Sequence, residues 1–132
     1  MSHTLLVRRL AGTALVLLAM TTATAPAWAH AFLVKSLPAR RAFLLRPPNR
    51  VQLWFNERLE PAYSSLAVLD RNGKPVDNQD VQVGPNDPKL LSVTLPSLPP
   101  GTYTVRFRVL SVDGHIVESE YPFMIRGGEP RE

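Results

Sequence analysis

The sequence predicts an all-β fold, a Greek-key sandwich or barrel of about seven strands. Short stretches alternate apolar and polar residues at period two, the pattern of strands with one buried face. Twelve of the 13 prolines fall after residue 30 and punctuate the chain often. No helical period is sustained for ten residues.

The predicted strands follow in order. Val51, Leu53 and Phe55 share one face of the first. Leu66 and Val68 form the second, which runs into Asp70-Arg71-Asn72-Gly73, a turn in which Gly73 takes positive φ at no steric cost. The stretch from Lys74 to Lys89 is polar and turn-rich and reads as a long inter-strand connection. Leu91, Val93 and Leu95 mark the next strand. The clearest period is Tyr103, Val105, Phe107 and Val109 with Thr104, Arg106 and Arg108 between them, after the punctuation Pro99-Pro100-Gly101. A last strand carries Tyr121, Phe123 and Ile125.

Residues 1–29 read as a signal peptide: Arg8 and Arg9 precede an apolar run from Leu10 to Met20, and Ala27-Trp28-Ala29 ends in an A-x-A pattern. The run is shorter than the ~20 residues a membrane span needs. Cleavage would fall between Ala29 and His30, leaving residues 30–132 as one small domain and implying export to the periplasm. Arg8-Arg9 is a weak hint of the twin-arginine route. The processed chain holds 13 Lys and Arg against 11 Asp and Glu, a net of +2, with no basic stripe interleaved with aromatics, so nucleic-acid binding is not expected. The polar tail after Met124 predicts no membrane anchor, and a soluble monomer is the expectation. With no cysteine in the chain, thiolate metal sites, cysteine nucleophiles and disulfide exchange are excluded, and only nitrogen and oxygen ligands remain.

Two features carry chemistry. Cleavage after Ala29 makes His30 the first residue, so its free α-amine and imidazole Nδ1 can close a six-membered chelate ring on a metal. The second feature is Ser111-Val112-Asp113-Gly114-His115. Asp113 and His115 are two apart, so in extended conformation both side chains face one way. The same Asp-Gly also reads as a type I′ hairpin signal that His115 merely flanks. After cleavage the chain has only two histidines, His30 and His115. Two imidazoles, one amine and one carboxylate form a set of three nitrogens and one oxygen. It suits tetragonal Cu(II), since the divalent affinity order peaks at copper; Zn(II) is the next candidate.

At these residues the chain resembles the CopC family of periplasmic copper-binding proteins. His30-Ala31-Phe32-Leu33-Val34-Lys35-Ser36-Leu37-Pro38 is similar to the family's H-A-x-L-x-x-S-x-P, and Leu53-Trp54-Phe55-Asn56-Glu57-Arg58-Leu59-Glu60-Pro61 to its L-x-F-S-E-x-L-E-P. Leu98-Pro99-Pro100-Gly101-Thr102-Tyr103-Thr104-Val105 and Ser111–His115 complete the match in order. The resemblance implies a cupredoxin-like or immunoglobulin-like Greek-key sandwich that binds one Cu(II) through His30, Asp113 and His115 for copper resistance, homeostasis or transfer, without being an enzyme. Glu57 falls where some members have a glutamate near the metal, and is expected to act from behind the ligands or as a weak axial contact. An inner-membrane copper transporter of the CopD type is the implied partner. Some members also bind Cu(I) through a methionine-rich segment. Here Met1 and Met20 lie in the signal and Met124 stands alone, so no Cu(I) site is expected.

Two other classes compete. An N-terminal histidine with a second histidine is also the histidine brace of copper monooxygenases, but a carboxylate beside the second histidine would occupy the position oxygen needs. A metal-free interaction module would instead show an exposed apolar patch. No G-x-S-x-G elbow or Gly-rich phosphate loop is present.

Overall fold

A computed structural model describes residues 31–127; the predicted signal peptide and its expected cleavage site lie outside them. Eight strands and one 3-10 turn form two four-stranded sheets. In chain order the strands are β1 (Leu33–Leu37), β2 (Phe43–Leu44), β3 (Arg50–Phe55), β4 (Ser65–Leu69), β5 (Gln82–Val83), β6 (Leu90–Thr94), β7 (Gly101–Leu110) and β8 (Ile116–Ile125), with the 3-10 turn at Pro61–Tyr63. One sheet has the order β1-β3-β6-β5 and the other β2-β8-β7-β4. The fold is the expected all-β Greek-key sandwich.

The strands with clear alternation build the core. Val51, Leu53 and Phe55 of β3 and Leu91 and Val93 of β6 face Leu66 and Val68 of β4, Tyr103, Val105, Phe107 and Val109 of β7, and Tyr121, Phe123 and Ile125 of β8. Phe55 meets Phe107 edge to face across the two sheets, centroids 5.5 Å apart at 71°, and Tyr103 stacks on Phe123. Between the buried positions of β7 and β8, Arg106 pairs with Glu120 and Arg108 with Glu118 directly across the ladder. The side chains of these pairs are at least half exposed, and the pairs contribute little to stability.

The three strands without a legible period are β1, β2 and β5, and each lies at a sheet edge. In β1 a register shift between Leu33 and Lys35 breaks the alternation. β2 and β5 have two residues each, too few to show any period. β5 falls inside the expected Lys74–Lys89 connection, which therefore holds a short strand whose leading segment is pinned. Asp77 accepts from the Val68 amide, and Asp80 accepts from the amide and hydroxyl of Thr94 at 2.8 and 2.6 Å. The carboxyl of Asp80 is held below the usual range chiefly by that hydroxyl. The last strand is longer than expected, starting at Ile116, because β7 and β8 pair along ten residues each and carry their hairpin past the core.

Candidate metal centre

The Asp113 and His115 side chains are brought together by the turn between β7 and β8. The Ser111 amide donates to the His115 carbonyl at 2.9 Å, and the Gly114 amide to the Ser111 carbonyl at 2.9 Å. That closes a three-residue loop, Val112-Asp113-Gly114. Gly114 has φ +91°, and Asp113 is not among the positive-φ residues, so the two-residue type I′ turn, which needs positive φ at both central positions, is not formed. The pair is also not in extended strand, the conformation expected to put both side chains on one face. The loop does that work: Asp113 Oδ2 lies 3.0 Å from His115 Nδ1, with the side chains 34% and 31% exposed, open enough to meet an ion.

Ser111 is the residue whose part sequence reasoning missed. Its side chain is fully buried, and its hydroxyl donates to Asp113 Oδ1, which also accepts from the His115 amide at 3.2 Å. The Ser111 hydroxyl, then the His115 side chain, hold the Asp113 carboxyl well below the usual carboxylate range, at about 2. The sequence signal was a small hydroxyl residue two before an aspartate, a pattern common in ordinary turns and so uninformative alone. Ser111→Ala is expected to raise the Asp113 pKa toward the ordinary ~3.9, read by carboxyl-carbon NMR titration. An unchanged value would assign the shift to His115 instead.

The loop is docked on the segment that follows β3. The Val112 amide donates to the Arg58 carbonyl at 2.9 Å, the Glu60 amide to the Leu110 carbonyl at 2.8 Å, and Leu59 bridges Ser111. The same segment holds the start of the described chain: the Phe32 amide donates to Asn56 Oδ1 at 2.6 Å, and the Asn56 amide to the Phe32 carbonyl at 3.1 Å. Ala31 is buried. Asn56–Arg58 thus joins the two parts of the chain that carry the candidate ligands. His30 itself lies outside the described residues. Glu57 is half-buried on this joining segment, and its carboxylate makes no ion pair among the described residues. Among the described residues no three His, Asp or Glu side chains gather into a metal-sized group; Asp113 and His115 are a pair. Met124 lies on β8 eight residues from Ile116, roughly 26 Å along the strand, and so takes no part in this end.

The CopC domain model matches residues 33–126. The chain belongs to the CopC family. Protein YobA of Escherichia coli strain K12 is 34% identical over 114 residues, covering 86% of this chain and 92% of the relative. Copper resistance protein C of Xanthomonas campestris pv. juglandis is 34% identical over 121 residues, covering 86% and 94%. Among solved structures, CopC from Methylosinus trichosporium OB3b superposes with TM-score 0.71 at 40% identity, over 78% of this chain and all of that one. PcoC, a methionine-rich copper resistance protein from Escherichia coli, gives 0.64 at 29%, over 74% of this chain and all of that one. As a CopC member, the chain shares the sandwich of these structures. No helix among the described residues is long and apolar enough to cross a membrane.

Proposed function

We propose that this CopC-family chain is an exported copper-binding protein that holds one Cu(II) through the α-amine and imidazole of His30, with Asp113 and His115 completing the set. The observation that carries this reading is the docking of two chain segments on Asn56–Arg58: Phe32, two residues after His30, and Val112, one before Asp113, both bond to it. Two residues of chain span at most about 7 Å, so His30 starts within short reach of that segment.

The donor set fits the ion. Asp113 Oδ2 and His115 Nδ1 lie 3.0 Å apart, the spacing of two neighbouring donors each about 2.0–2.2 Å from one ion, so that oxygen and the Nδ1 lone pair would share the ion, with the imidazole proton on Nε2. A carboxylate offers about four lone-pair positions, so Asp113 can hold the loop and still face the ion. Glu57 would act from behind these ligands. Bound Cu(II) would supply only its affinity for this set, and the carboxylate would take the coordination position that oxygen chemistry needs. The protein therefore serves resistance, homeostasis or transfer rather than catalysis, with an inner-membrane transporter of the CopD type as recipient and the periplasm as location. Its single methionine after residue 30 gives no Cu(I) cluster, unlike a methionine-rich relative.

The test is a Cu(II) titration of the processed protein with electron paramagnetic resonance across pH. One equivalent with tetragonal, nitrogen-rich hyperfine structure is expected. Amines and imidazoles ordinarily titrate near ~7.7–8 and ~6.5 and must be deprotonated to bind, so affinity falls steeply between about pH 8 and 5. Asp113 does not contribute to that fall. Its folded pKa is depressed, so its hold on the loop is complete above the ordinary carboxylate value and lost only as pH drops through about 2. Weak binding, or affinity flat over that window, would sink the proposed ligand set.

A further inference from the structure

The end of the sandwich away from Asp113 carries a different chemistry. β3 and β8 run between the two ends, so Arg50 and Ile125 lie opposite Phe55 and Ile116. From Leu37 to Arg50, 14 residues contain four arginines and no Asp or Glu. The segment is not a loose loop. The Arg41 amide donates to the Pro122 carbonyl at 2.7 Å, the Met124 amide to the Ala42 carbonyl at 2.8 Å, and the Arg126 amide to the Leu44 carbonyl at 2.8 Å. Tyr121 donates its hydroxyl to the Pro38 carbonyl, and the Arg40 guanidinium lies over its ring.

This anchored segment holds apolar side chains out in solvent. Phe43 is 71% and Leu45 79% exposed, and both line an open groove with Met124 and Arg126. Arg40, Arg41, Arg46 and Arg126 are all exposed and form no ion pair with any described carboxylate. The carboxylates of the neighbouring β8 strand, Glu118 and Glu120, face Arg108 and Arg106 toward the other end. Asp80, within electrostatic reach of Arg50, is held on Thr94. A folded surface that keeps a phenylalanine and a leucine in water beside guanidinium groups paired with no described carboxylate has the two features of an interfacial anchor: apolar groups for the headgroup boundary and cations for anionic phosphates.

We propose that this end docks on an anionic phospholipid surface. Phe43 and Leu45 enter the headgroup layer, and Arg40, Arg41, Arg46 and Arg126 pair with lipid phosphates. The Asp113–His115 loop then points away from the bilayer. The inference goes beyond the copper reading and does not depend on it, because none of these residues is a candidate ligand.

The test is cosedimentation of the processed, copper-free protein with vesicles of phosphatidylglycerol and phosphatidylethanolamine, beside vesicles of phosphatidylcholine alone. Binding to the first and not the second is expected, weakening as salt screens the charge. Arg46→Glu with Arg126→Glu, both at exposed positions, should reduce the partition coefficient at least about tenfold. Phe43→Ser should reduce it without removing the salt dependence. Circular dichroism of each variant reports the fold, and a Cu(II) titration reports the other end separately. Wild-type protein that binds neither vesicle would overturn the proposal and turn the basic face toward an acidic protein partner. A charge-reversed protein that binds as well as the parent would overturn it too.

Discussion

One residue added ahead of His30 is expected to lower Cu(II) affinity by at least about a hundredfold. The extension converts the α-amine into a peptide amide, which has no basic lone pair at neutral pH, and so removes one ligand and opens the chelate ring that joins it to the His30 imidazole. Loss of groups that merely orient a ligand already costs ten- to a hundredfold, and loss of a ligand should cost no less. The fold should not notice. Phe32 stays bonded to Asn56 through its own amide and carbonyl, so the thermal midpoint of the metal-free extended protein should match that of the processed one. A competition titration against a chelator of known affinity reads the change, and electron paramagnetic resonance should show fewer nitrogen couplings. Equal affinity for both proteins would mean that the amine is not a ligand.

Phe107→Ala is expected to destabilise the domain by about 3–5 kcal/mol, the range for removing a large buried aromatic. Phe107 is 1% exposed, sits mid-strand in β7, and packs edge to face on Phe55 from the opposite sheet. Its loss opens a cavity where the sheets meet and forfeits the ring pair. For a domain of this size that corresponds to a fall in melting temperature on the order of 15–30 °C, measured by circular dichroism or calorimetry. Arg108→Ala, one residue along on the exposed face, should change stability by no more than about 0.5 kcal/mol. A Phe107→Ala loss below about 1 kcal/mol would show that β7 repacks and that the contact between the sheets is not the main source of stability.

The strands that bury a face were legible because burial writes a period-two pattern into the residues. Tyr103, Val105, Phe107 and Val109 face the core and alternate with residues that do not. The edge strands β1, β2 and β5 were not legible for the same reason inverted. β5 needs only two residues and hydrogen bonds to β6, and backbone pairing leaves no mark on side-chain identity. The exposed apolar patch at Phe43 and Leu45 was equally hidden, since a leucine in a sequence does not say which side of a sheet it occupies.

Sequence by itself determined the fold class and the absence of cysteine chemistry, and it narrowed the candidates for holding a divalent ion to a short roll, because residue chemistry and spacing carry these. The tertiary structure decided how two of those residues meet. Asp113 and His115 face each other through a three-residue loop with Gly114 at positive φ, not through strand geometry, and Ser111 locks the carboxylate from beneath. It also decided that the chain just after His30 and the loop carrying Asp113 share one support at Asn56–Arg58. Such a junction is made by backbone amides and carbonyls, which every residue carries alike, so no pattern of side chains could have announced it.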